Sequence, residues 1–422
     1  MSITRRITFR LYPSQSQAVK LNYWRRLHKD LYNACLAHRQ VEYRRNGRSI
    51  SYYDQQNLLP EFKQEWGEYI ELGSHALQAT VKRVDFAYQR FFKGLGGYPK
   101  FKSSRHYQGW TYPCKAGWKT HTTGKNGYLE LSNLGQIQMR GQARTWGTPT
   151  TCTLMLKNGL WYVSITVVCE PVRATGIGSI GADFGCLTAV ALSDGTKIEN
   201  PRFLAAQQKK IKQVSKSLRR KRKPEKNKTK ASRRWRKVKY KVRKLHQKVA
   251  RQRQNWCHQV AVQIVSSNSM VATEKLTLKN MTRKAIKGSK RKRQKTGLNR
   301  SILDVGMGML RSAIEYKLAE ANGIFIEIPT QKVKPSQTCP NCGHQQKKDL
   351  SEREHLCSKC GYQADRDVAA AQVMLSWALG TSVLSRGESG STSIPAVKNC
   401  GGFKQLVSTK RQKPQPSEAG CG

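Results

Sequence analysis

Four of the twelve cysteines form two closely spaced pairs, Cys339 with Cys342 and Cys357 with Cys360. Fourteen residues separate the two pairs, and a glycine directly follows each of them. Because two thiolates in one tight turn can face the same ion, two such turns offer the tetrahedral set of sulfurs that Zn²⁺ favours. Four protein ligands leave no open coordination position, so the spacing predicts a structural zinc ion in a ribbon-like segment.

Acidic residues stand at three ends of predicted elements. Asp183 closes an apolar strand-like run, Glu274 closes a second one, and the pair Asp365 and Asp367 stands where an alanine-rich helix begins. Carboxylates on strand ends and at a helix start can converge on two Mg²⁺ ions about 4 Å apart, an arrangement that supports phosphodiester hydrolysis. Each acid alone is more typical of a cap or a surface charge, but together they predict a catalytic magnesium site.

The chain carries a large excess of positive charge, with 77 lysines and arginines against 26 acidic residues and a formal net charge of +51. Residues 209–253 alone hold 23 basic residues and one acid, Glu225. An excess of this size repels itself unless a polyanion compensates it, and each neutralised phosphate releases condensed counterions. The composition therefore predicts a protein that binds nucleic acid, not one that is merely soluble and basic.

The first part of the chain predicts a small β-structure with helices inserted in it. Residues 7–11 alternate apolar and polar side chains as a strand does, and helical periodicity follows within residues 13–105. From about Trp110 the period changes to two, and Asn158-Gly159 predicts the turn of a hairpin. We expect the first strand to join the later ones in an antiparallel barrel or sandwich.

The second part alternates strands with helices. It is predicted to start with a hairpin formed by residues 180–183 and 187–192 and closed by residues 193–195. Residues 282–300 are predicted to be mobile without a partner. The other predicted elements are a long basic helical region at about 205–266, a strand at 270–274, a helix at 302–321, a strand at 324–328 and a helix at 367–379.

The amino-acid sequence shows no signal for membrane insertion or export. No stretch reaches the roughly 18 apolar residues of a spanning helix, and residues 1–6 contain no apolar core of a signal peptide. The eight cysteines outside the two pairs are scattered, which favours free thiols in a reducing compartment. We therefore expect an intracellular protein, with a disordered tail rich in Gly, Ser and Pro beyond Gly380.

The segments around the three acids resemble the motifs of the TnpB (OrfB) proteins of insertion sequences, relatives of type V CRISPR effectors. Residues 181–185 (GADFG) resemble the first RuvC motif, residues 271–276 (VATEKL) the second, and residues 357–375 the third, which follows a zinc ribbon. Residues 97–102 (GYPKFK) also resemble a segment of that family. One departure is Ala369, which stands where the family has asparagine, so a hydrogen-bonding side chain is lost but no metal ligand.

The resemblance implies a multidomain α+β fold. An antiparallel β wedge barrel with an inserted helical recognition lobe would be followed by a RuvC-like α/β nuclease domain of the ribonuclease-H fold, itself interrupted by the zinc ribbon. The implied ranges are 1–12 and 106–172 for the barrel, 13–105 for the lobe, 178–334 and 363–380 for the nuclease domain, 335–362 for the ribbon and 381–422 for the disordered tail.

The resemblance also implies an RNA-guided DNA endonuclease encoded by a transposable element, which cleaves guide-matched DNA next to a short motif. Asp183, Glu274 and Asp367 would be its catalytic Mg²⁺ ligands, beside the structural zinc. The family's third acid is the second aspartate of its motif, which corresponds to Asp367, so Asp365 would be only a neighbour. Its partners would be a guide RNA from the transposon end and double-stranded target DNA, with base pairing providing the specificity. We expect a monomer that acts in the prokaryotic cytoplasm on the nucleoid.

Six residues are expected to contact nucleic acid if the resemblance holds. Tyr53 and Gln78 lie near positions that read the target-adjacent motif in relatives, although ordinary packing or surface roles also explain them. The other four belong to the basic stretch that would line the guide–target channel, namely Arg219, Arg220, Arg233 and Arg234. The aromatic residues of that stretch, such as Trp235, need no role beyond packing.

Three other functions remain compatible with the sequence. A nuclease-dead, RNA-guided DNA-binding repressor would have lost one of the acids, yet all three are present, and only Ala369 keeps this alternative open. A strand-transfer transposase could use the same fold, but a zinc ribbon between the second and third acids argues against it. A zinc-ribbon protein without an active site would leave the three acids unexplained.

Overall fold

A computed structural model describes residues 2–170, 173–224, 229–286, 288, 291–349 and 352–381. The chain divides into two compact units, the first comprising Met1–Ala174 and the second beginning at Thr175. None of the described helices combines the length and the apolar character that a membrane crossing requires. The predicted disordered tail lies, apart from residue 381, outside the described residues.

The first unit contains a seven-stranded antiparallel sheet in the order β2-β6-β7-β1-β5-β4-β3. Its strands are β1 (Ile3–Tyr12), β2 (Gly109–Tyr112), β3 (Trp118–His121), β4 (Gly127–Leu131), β5 (Gly135–Arg140), β6 (Thr148–Lys157) and β7 (Leu160–Cys169). Its helices are α1 (Gln15–Asn46), α2 (Tyr52–Asn57), α3 (Leu59–Glu65) and α4 (Ser74–Phe92), with a 3-10 helix at Gly67–Leu72. The predicted pairing of the first strand with the later ones is confirmed. Among the described residues no ladder joins β2 to β3, so closure into a barrel stays a prediction.

Local signals in the sequence determine where these elements begin and turn. The Ser14 hydroxyl accepts a hydrogen bond from the Gln17 amide at 3.2 Å, and the Gln17 side chain accepts one from the Ser14 amide at 3.0 Å, a capping box that starts α1. Asn158 and Gly159 have φ angles of 56° and 80°, so the β6–β7 connection is the predicted Asn-Gly turn. The α1 residue Trp24 is fully buried in the core of this unit.

The second unit contains a mixed five-stranded sheet in the order β10-β9-β8-β11-β12. Its strands are β8 (Gly178–Asp183), β9 (Thr188–Leu192), β10 (Lys197–Glu199), β11 (Asn268–Glu274) and β12 (Ile324–Ile328), and a separate hairpin is formed by β13 (Glu354–Leu356) and β14 (Gln363–Asp365). Its helices are α5 (Phe203–Arg219), α6 (Arg233–Ser267), α7 (Leu278–Met281), α8 (Lys292–Val305), α9 (Met307–Glu320), α10 (Thr330–Val333) and α11 (Arg366–Ala378). β8, β11 and β12 run parallel to one another, whereas β9 is antiparallel to both of its neighbours, β8 and β10. The predicted α+β class is confirmed.

Helices cover both faces of this mixed sheet, which explains why its central strands are apolar throughout. On one face Val271 of β11 belongs to a core formed with α6 and α9, which includes Ile264 and Ile314. On the other face the neighbouring Ala272 packs into a smaller core with Ala370 and Met374 of α11. The small side chains of α11 leave little distance between that helix and the sheet.

Three predictions about the second unit were wrong. The region predicted as one helix at 302–321 is broken by Gly306, whose φ of 77° ends α8 and precedes α9. Residues 292–300, predicted to be mobile, belong to α8, where Asn299 donates hydrogen bonds to the carbonyls of Thr282 and Arg283. The turn at residues 193–195, predicted to close the first hairpin, instead joins β9 to the short strand β10. The predicted basic helical region at about 205–266 is confirmed, as the two helices α5 and α6.

The helix α11 approaches the sheet very closely at Gly181 on β8. A Cβ atom at this position would lie 1.9 Å from the backbone oxygen of Ala371 and 3.2 Å from the backbone nitrogen of Leu375. Backbone atoms cannot give way as a flexible side chain can, so glycine is needed here. This contact fixes α11 against the strand that ends in Asp183.

Replacing Gly181 by alanine is expected to destabilise the chain by at least about 1–3 kcal/mol, because the added methyl group overlaps the backbone of α11. Thermal unfolding followed by circular dichroism should show a melting temperature lower by about 3–10 °C. The matched control is Gly297→Ala, since Gly297 lies in α8 with no atom within 4 Å of the added Cβ. That variant should be unchanged or slightly more stable, and equal melting temperatures for both variants would contradict the close contact.

Candidate metal centres

Asp183 and Glu274 are neighbours because of the register between two parallel strands. Ala182 of β8 lies opposite Thr273 of β11, so the residues that end these strands, Asp183 and Glu274, lie side by side. Both side chains are partly buried. The predicted convergence of these two acids at one edge of the sheet is therefore present in the fold.

Asp367 reaches the same edge from the first turn of α11, which packs across β8, β9 and β11. Burial, together with the smaller effect of the nearby carboxylates of Glu274 and Asp367, raises the pKa of Asp183 to about 8. Burial also raises the pKa of Glu274. The three acids thus form one electrostatic cluster of like charges.

Two candidate metal centres differ in how tightly their ligand atoms are grouped. Within the part of the chain that the structure describes, the one group of three or more metal-ligating side chains with all ligand atoms inside 4.8 Å is the four-cysteine cluster. The three carboxylates form no such group among the described residues, and they stand on three separate elements, β8, β11 and α11. Hard oxygen ligands and repulsion between like charges both fit divalent magnesium, since a cation would relieve that repulsion.

Asp365, two residues before Asp367, was treated as a mere neighbour from the sequence, but it caps α11. Its side chain accepts hydrogen bonds from the amides of Asp367 at 3.0 Å and Val368 at 3.3 Å, and it lies 2.5 Å from Lys197 Nζ. Burial by itself would raise the pKa of Asp365, but the hydrogen bonds from Lys197 and Val368 outweigh it and lower that pKa. An acid directly before an apolar helical run is the sequence signal that could have identified this cap.

The four cysteines lie in two turns of the same geometry. The amides of Gly343 and Gly361 donate to the carbonyls of Cys339 and Cys357, each at 3.0 Å. The φ angles of these glycines are 72° and 71°, a left-handed conformation that favours glycine. The sequence-predicted pairs therefore fold as two matching knuckles that face each other.

The sulfur atoms of the two knuckles approach closely, with Cys339 Sγ at 3.7 Å from Cys360 Sγ and Cys342 Sγ at 3.5 Å from Cys357 Sγ. Burial alone would raise the pKa of Cys357, but the backbone amides of Cys360 and Lys359 outweigh it and hold this pKa at about 6. Amide groups aimed at sulfur stabilise the thiolate form that Zn²⁺ requires. The four-sulfur set is compatible with a structural zinc ion.

The hairpin of β13 and β14, which carries Cys357 and Cys360 in its turn, is called the cysteine hairpin below. A chain of hydrogen bonds connects it with the strand that carries Asp183. The Tyr362 hydroxyl donates to Gln372 of α11 at 2.7 Å, and the Gln372 amide group lies 3.4 Å from the Ser193 carbonyl oxygen. Ser193 in turn is hydrogen bonded twice to Gly181, through its own amide and through its hydroxyl, each at 3.0 Å. The hairpin, α11 and β8 are thereby held in one arrangement.

The predicted nucleic-acid contacts in the first unit lie on two helices that pack together, α2 and α4. Tyr53 of α2 is largely exposed, at 71%, and its ring centroid lies 5.2 Å from that of Tyr52. Gln78 of α4 is partly buried. Exposure leaves the Tyr53 ring free to contact a ligand, but neither residue has a geometry that identifies its role.

The four predicted arginines lie where α5 ends and α6 begins, and all are exposed. Arg219 is the last residue of α5, and Arg233 is the first of α6. A hydrogen bond of 3.4 Å from the Ser232 hydroxyl to the Arg222 carbonyl brings the two helix ends together. Arg233 and Arg234 in the first turn of α6 oppose the helix dipole, so helix stability does not explain them, whereas Arg219 in the last turn of α5 interacts favourably with the dipole.

A buried acid that the sequence reading did not single out joins α5, α6 and α8. Asp304 pairs with the Arg253 guanidinium at 2.7 Å and accepts from the Leu204 amide at 3.1 Å, at the start of α5. Breaking such a buried pair leaves an uncompensated charge. An acid inside the apolar run of α8 was the available signal for a structural role.

The fold and these two clusters define a class of proteins in which acids at the edge of a mixed sheet adjoin a four-cysteine hairpin. A family model described as a probable transposase, OrfB of IS605, matches residues 163–285, and a Cas12f1-like TNB domain model matches residues 308–374. A helix-turn-helix model from the OrfB family matches residues 1–48. In this chain that last segment folds as β1 followed by the single helix α1.

Relatives match along nearly the whole chain. The putative RNA-guided DNA endonuclease InsQ of Escherichia coli (strain K12) is 29% identical over 392 residues, covering 90% of this chain and 93% of that protein. A putative RNA-guided DNA endonuclease of Streptomyces pristinaespiralis is 28% identical over 411 residues, covering 94% and 96%. The chain is thus similar to the TnpB (OrfB) proteins of insertion sequences along most of its length.

Two solved structures share the fold at low sequence identity. The cryo-EM structure of the Cas12f1–sgRNA–target DNA complex aligns with a TM-score of 0.58 and 10% identity, covering 88% of this chain and 98% of that chain. The structure of the mini-RNA-guided endonuclease CRISPR-Cas phi3 aligns with a TM-score of 0.52 and 9% identity, covering 89% and 92%. At such identities the likeness concerns the fold alone.

Purified protein is expected to contain about one zinc ion per chain, measured by inductively coupled plasma mass spectrometry. Cys342→Ser and Cys357→Ser should each lose most of this zinc and lower the melting temperature, because the free energy of metal binding contributes to the stability of the folded chain. Cys114→Ser is the control, a partly buried thiol in the first unit, and should retain the metal. Full zinc content in both knuckle variants would refute the assignment.

Proposed function

We propose that this protein is an RNA-guided DNA endonuclease encoded by an insertion sequence. The observation that carries the proposal is the placement of Asp183 and Glu274 side by side at the ends of two parallel strands, with Asp367 close enough to shift the pKa of Asp183. The relatives that match almost the whole chain are named as enzymes of this kind, which supports the same activity here.

In the proposed site Asp183, Glu274 and Asp367 hold two Mg²⁺ ions. Such ions supply a nucleophile at neutral pH and stabilise the charge that develops on the scissile phosphodiester. Two of the ligands are fixed rigidly at the ends of β8 and β11, and the third comes from the first turn of α11. Partial burial of all three acids limits competition from bulk water for the metal.

The proposed domain arrangement follows the family resemblance. The mixed five-stranded sheet with α11 is assigned to a RuvC-like nuclease domain at residues 178–334 and 363–380, and the cysteine hairpin to a zinc ribbon at 335–362. The seven-stranded sheet is assigned to the wedge at residues 1–12 and 106–172, with the helical recognition lobe at 13–105. The matching family models and the shared fold of the effector structures support this assignment.

The proposed partners are a guide RNA from the transposon end and double-stranded target DNA, bound by a monomer. A net charge of +51 supports a polyanionic partner, and the exposed arginines at the α5–α6 ends provide one contact surface. Base pairing between guide and target would supply the sequence specificity, while the protein reads duplex shape and a short motif. Tyr53 and Gln78 are proposed to take part in reading that motif.

Alanine at Asp183, Glu274 or Asp367 is expected to reduce Mg²⁺-dependent cleavage of a guide-matched plasmid by at least about 10²-fold, because each change removes a charged metal ligand. Guide RNA binding, measured by filter binding, should be unchanged. Glu315→Ala, which alters an exposed acid of α9, serves as the matched control and should cleave like wild type.

The same assay separates the alternative functions. Undiminished cleavage in all three acid variants would exclude this site, and guide-dependent DNA binding by wild type without any cleavage would favour a repressor. Joining of transposon ends without RNA would favour a strand-transfer transposase. Sequencing of RNA that copurifies with the protein provides an independent check of guide use.

Combined replacement of Arg233 and Arg234 by alanine is expected to weaken nucleic-acid binding and to reduce the salt dependence of the affinity. Each lost phosphate contact should lower the slope of log K against log salt by about 0.7–0.9. Binding of a duplex measured between low and moderate salt provides the slope. Arg44 and Arg45, also exposed and adjacent but on α1, give the charge-matched control; an equal change in both pairs would argue against a specific surface.

A further inference from the structure

We propose that Asp365 is a positioning residue that fixes Asp367 within the candidate carboxylate site. The proposal rests on the proposed function, since it concerns the placement of one of the three acids. It starts from the fact that Asp365 is at once the last residue of β14 and the N-cap of α11. No residue separates the cysteine hairpin from the helix that carries Asp367.

The two carboxylate oxygens of Asp365 have different partners. Oδ1 accepts the amides of Asp367 at 3.0 Å and Val368 at 3.3 Å, so the backbone of Asp367 itself is held by the cap. Oδ2 lies 2.5 Å from the ammonium group of Lys197 on the edge strand β10. With donors on both oxygens, Asp365 is oriented toward the helix start and β10.

The residues on either side of Asp365 are also held by the hairpin. Asp365 pairs with Glu354 in the β13–β14 ladder, and the Arg366 amide donates to the Arg353 carbonyl at 2.9 Å. The Arg366 guanidinium donates to the carbonyls of Asp349 at 2.7 Å and Glu352 at 3.2 Å. The peptide that leads into Asp367 is therefore restrained by three sets of contacts.

The cap is the contact among these that acts directly on Asp367. An uncapped helix start frays, because its first backbone amides lose their hydrogen-bond acceptor. A displacement of about 1 Å in a reacting group can reduce a rate by about 10²-fold, so fraying at this turn would affect cleavage more than it affects stability. The Lys197 pair is half-exposed and contributes less, because solvent screens it.

Three variants separate the possible roles of Asp365. Asp365→Ala removes both the cap and the tether, Asp365→Asn keeps an oxygen that can cap the helix but loses the charge, and Lys197→Gln removes the tether alone. We expect cleavage of a guide-matched plasmid to fall about 10–10²-fold in the alanine variant, with a higher Mg²⁺ concentration needed for half-maximal rate. The asparagine variant should recover most of the activity, and Lys197→Gln should lose only a few-fold.

Hydrogen exchange gives a readout that does not depend on cleavage. In the full chain bound to its guide RNA, amide exchange of residues 366–371 followed by mass spectrometry should be faster in Asp365→Ala and restored in Asp365→Asn. Zinc content and guide RNA affinity should match wild type in all three variants. Isothermal titration with Mn²⁺ alone should show weaker binding in the alanine variant.

Two results would overturn the positioning role. If Asp365→Asn is as inactive as Asp365→Ala, the carboxylate charge itself is required, and Asp365 acts as a metal ligand. If exchange and cleavage in Asp365→Ala match wild type, the cap does not control Asp367. A wild-type protein that fails to cleave would instead refute the proposed nuclease function, and the exchange measurement would still decide whether the cap fixes the helix start.

Discussion

The backbone contact between Gly181 and Ala371 is the constraint on which the arrangement of the second unit depends. A side chain of any size at Gly181 would hold α11 away from β8, since a Cβ would lie 1.9 Å from the Ala371 oxygen. With glycine there, the first turn of the helix reaches the edge where β8 and β11 end. The proximity of Asp367 to Asp183 is thus a consequence of packing between apolar surfaces, and not of attraction between the acids.

This packing must overcome an electrostatic cost, because it gathers carboxylates that repel one another. The raised pKa of Asp183 is a direct sign of that repulsion and of its burial. Compensation comes from contacts further away, such as the hydrogen bonds from Tyr362 through Gln372 and Ser193 to Gly181. The cysteine hairpin therefore supports the carboxylate edge through α11, although its sulfurs and the acids form separate clusters.

Much of this was predictable from the sequence, where local chemistry determines the outcome. The Asn158-Gly159 turn, the cysteine knuckles and the strand-end acids depend on residues that have few alternatives. The break at Gly306 was not predicted, because helical periodicity continues across it and only tertiary packing decides whether glycine interrupts a helix. The start of α8 at Lys292 was missed for a similar reason, since hydrogen bonds such as those of Asn299 stabilise a segment whose composition suggests mobility. The cap formed by Asp365 depends on a hairpin end and a helix start that coincide at one residue.

That coincidence makes the length of the chain at this point critical. Each residue of an α-helix turns the chain by about 100°, because 3.6 residues complete one turn. One residue more or fewer between β14 and α11 would rotate the whole helix, with Asp367 and its alanine surface, by about 100° relative to the hairpin, so the contacts with the hairpin and the packing on β8 could not both be kept. Substitutions should therefore be tolerated more readily at this junction than insertions or deletions, and a segment grafted between hairpin and helix would have to add whole helical turns to keep α11 in the same orientation relative to the hairpin.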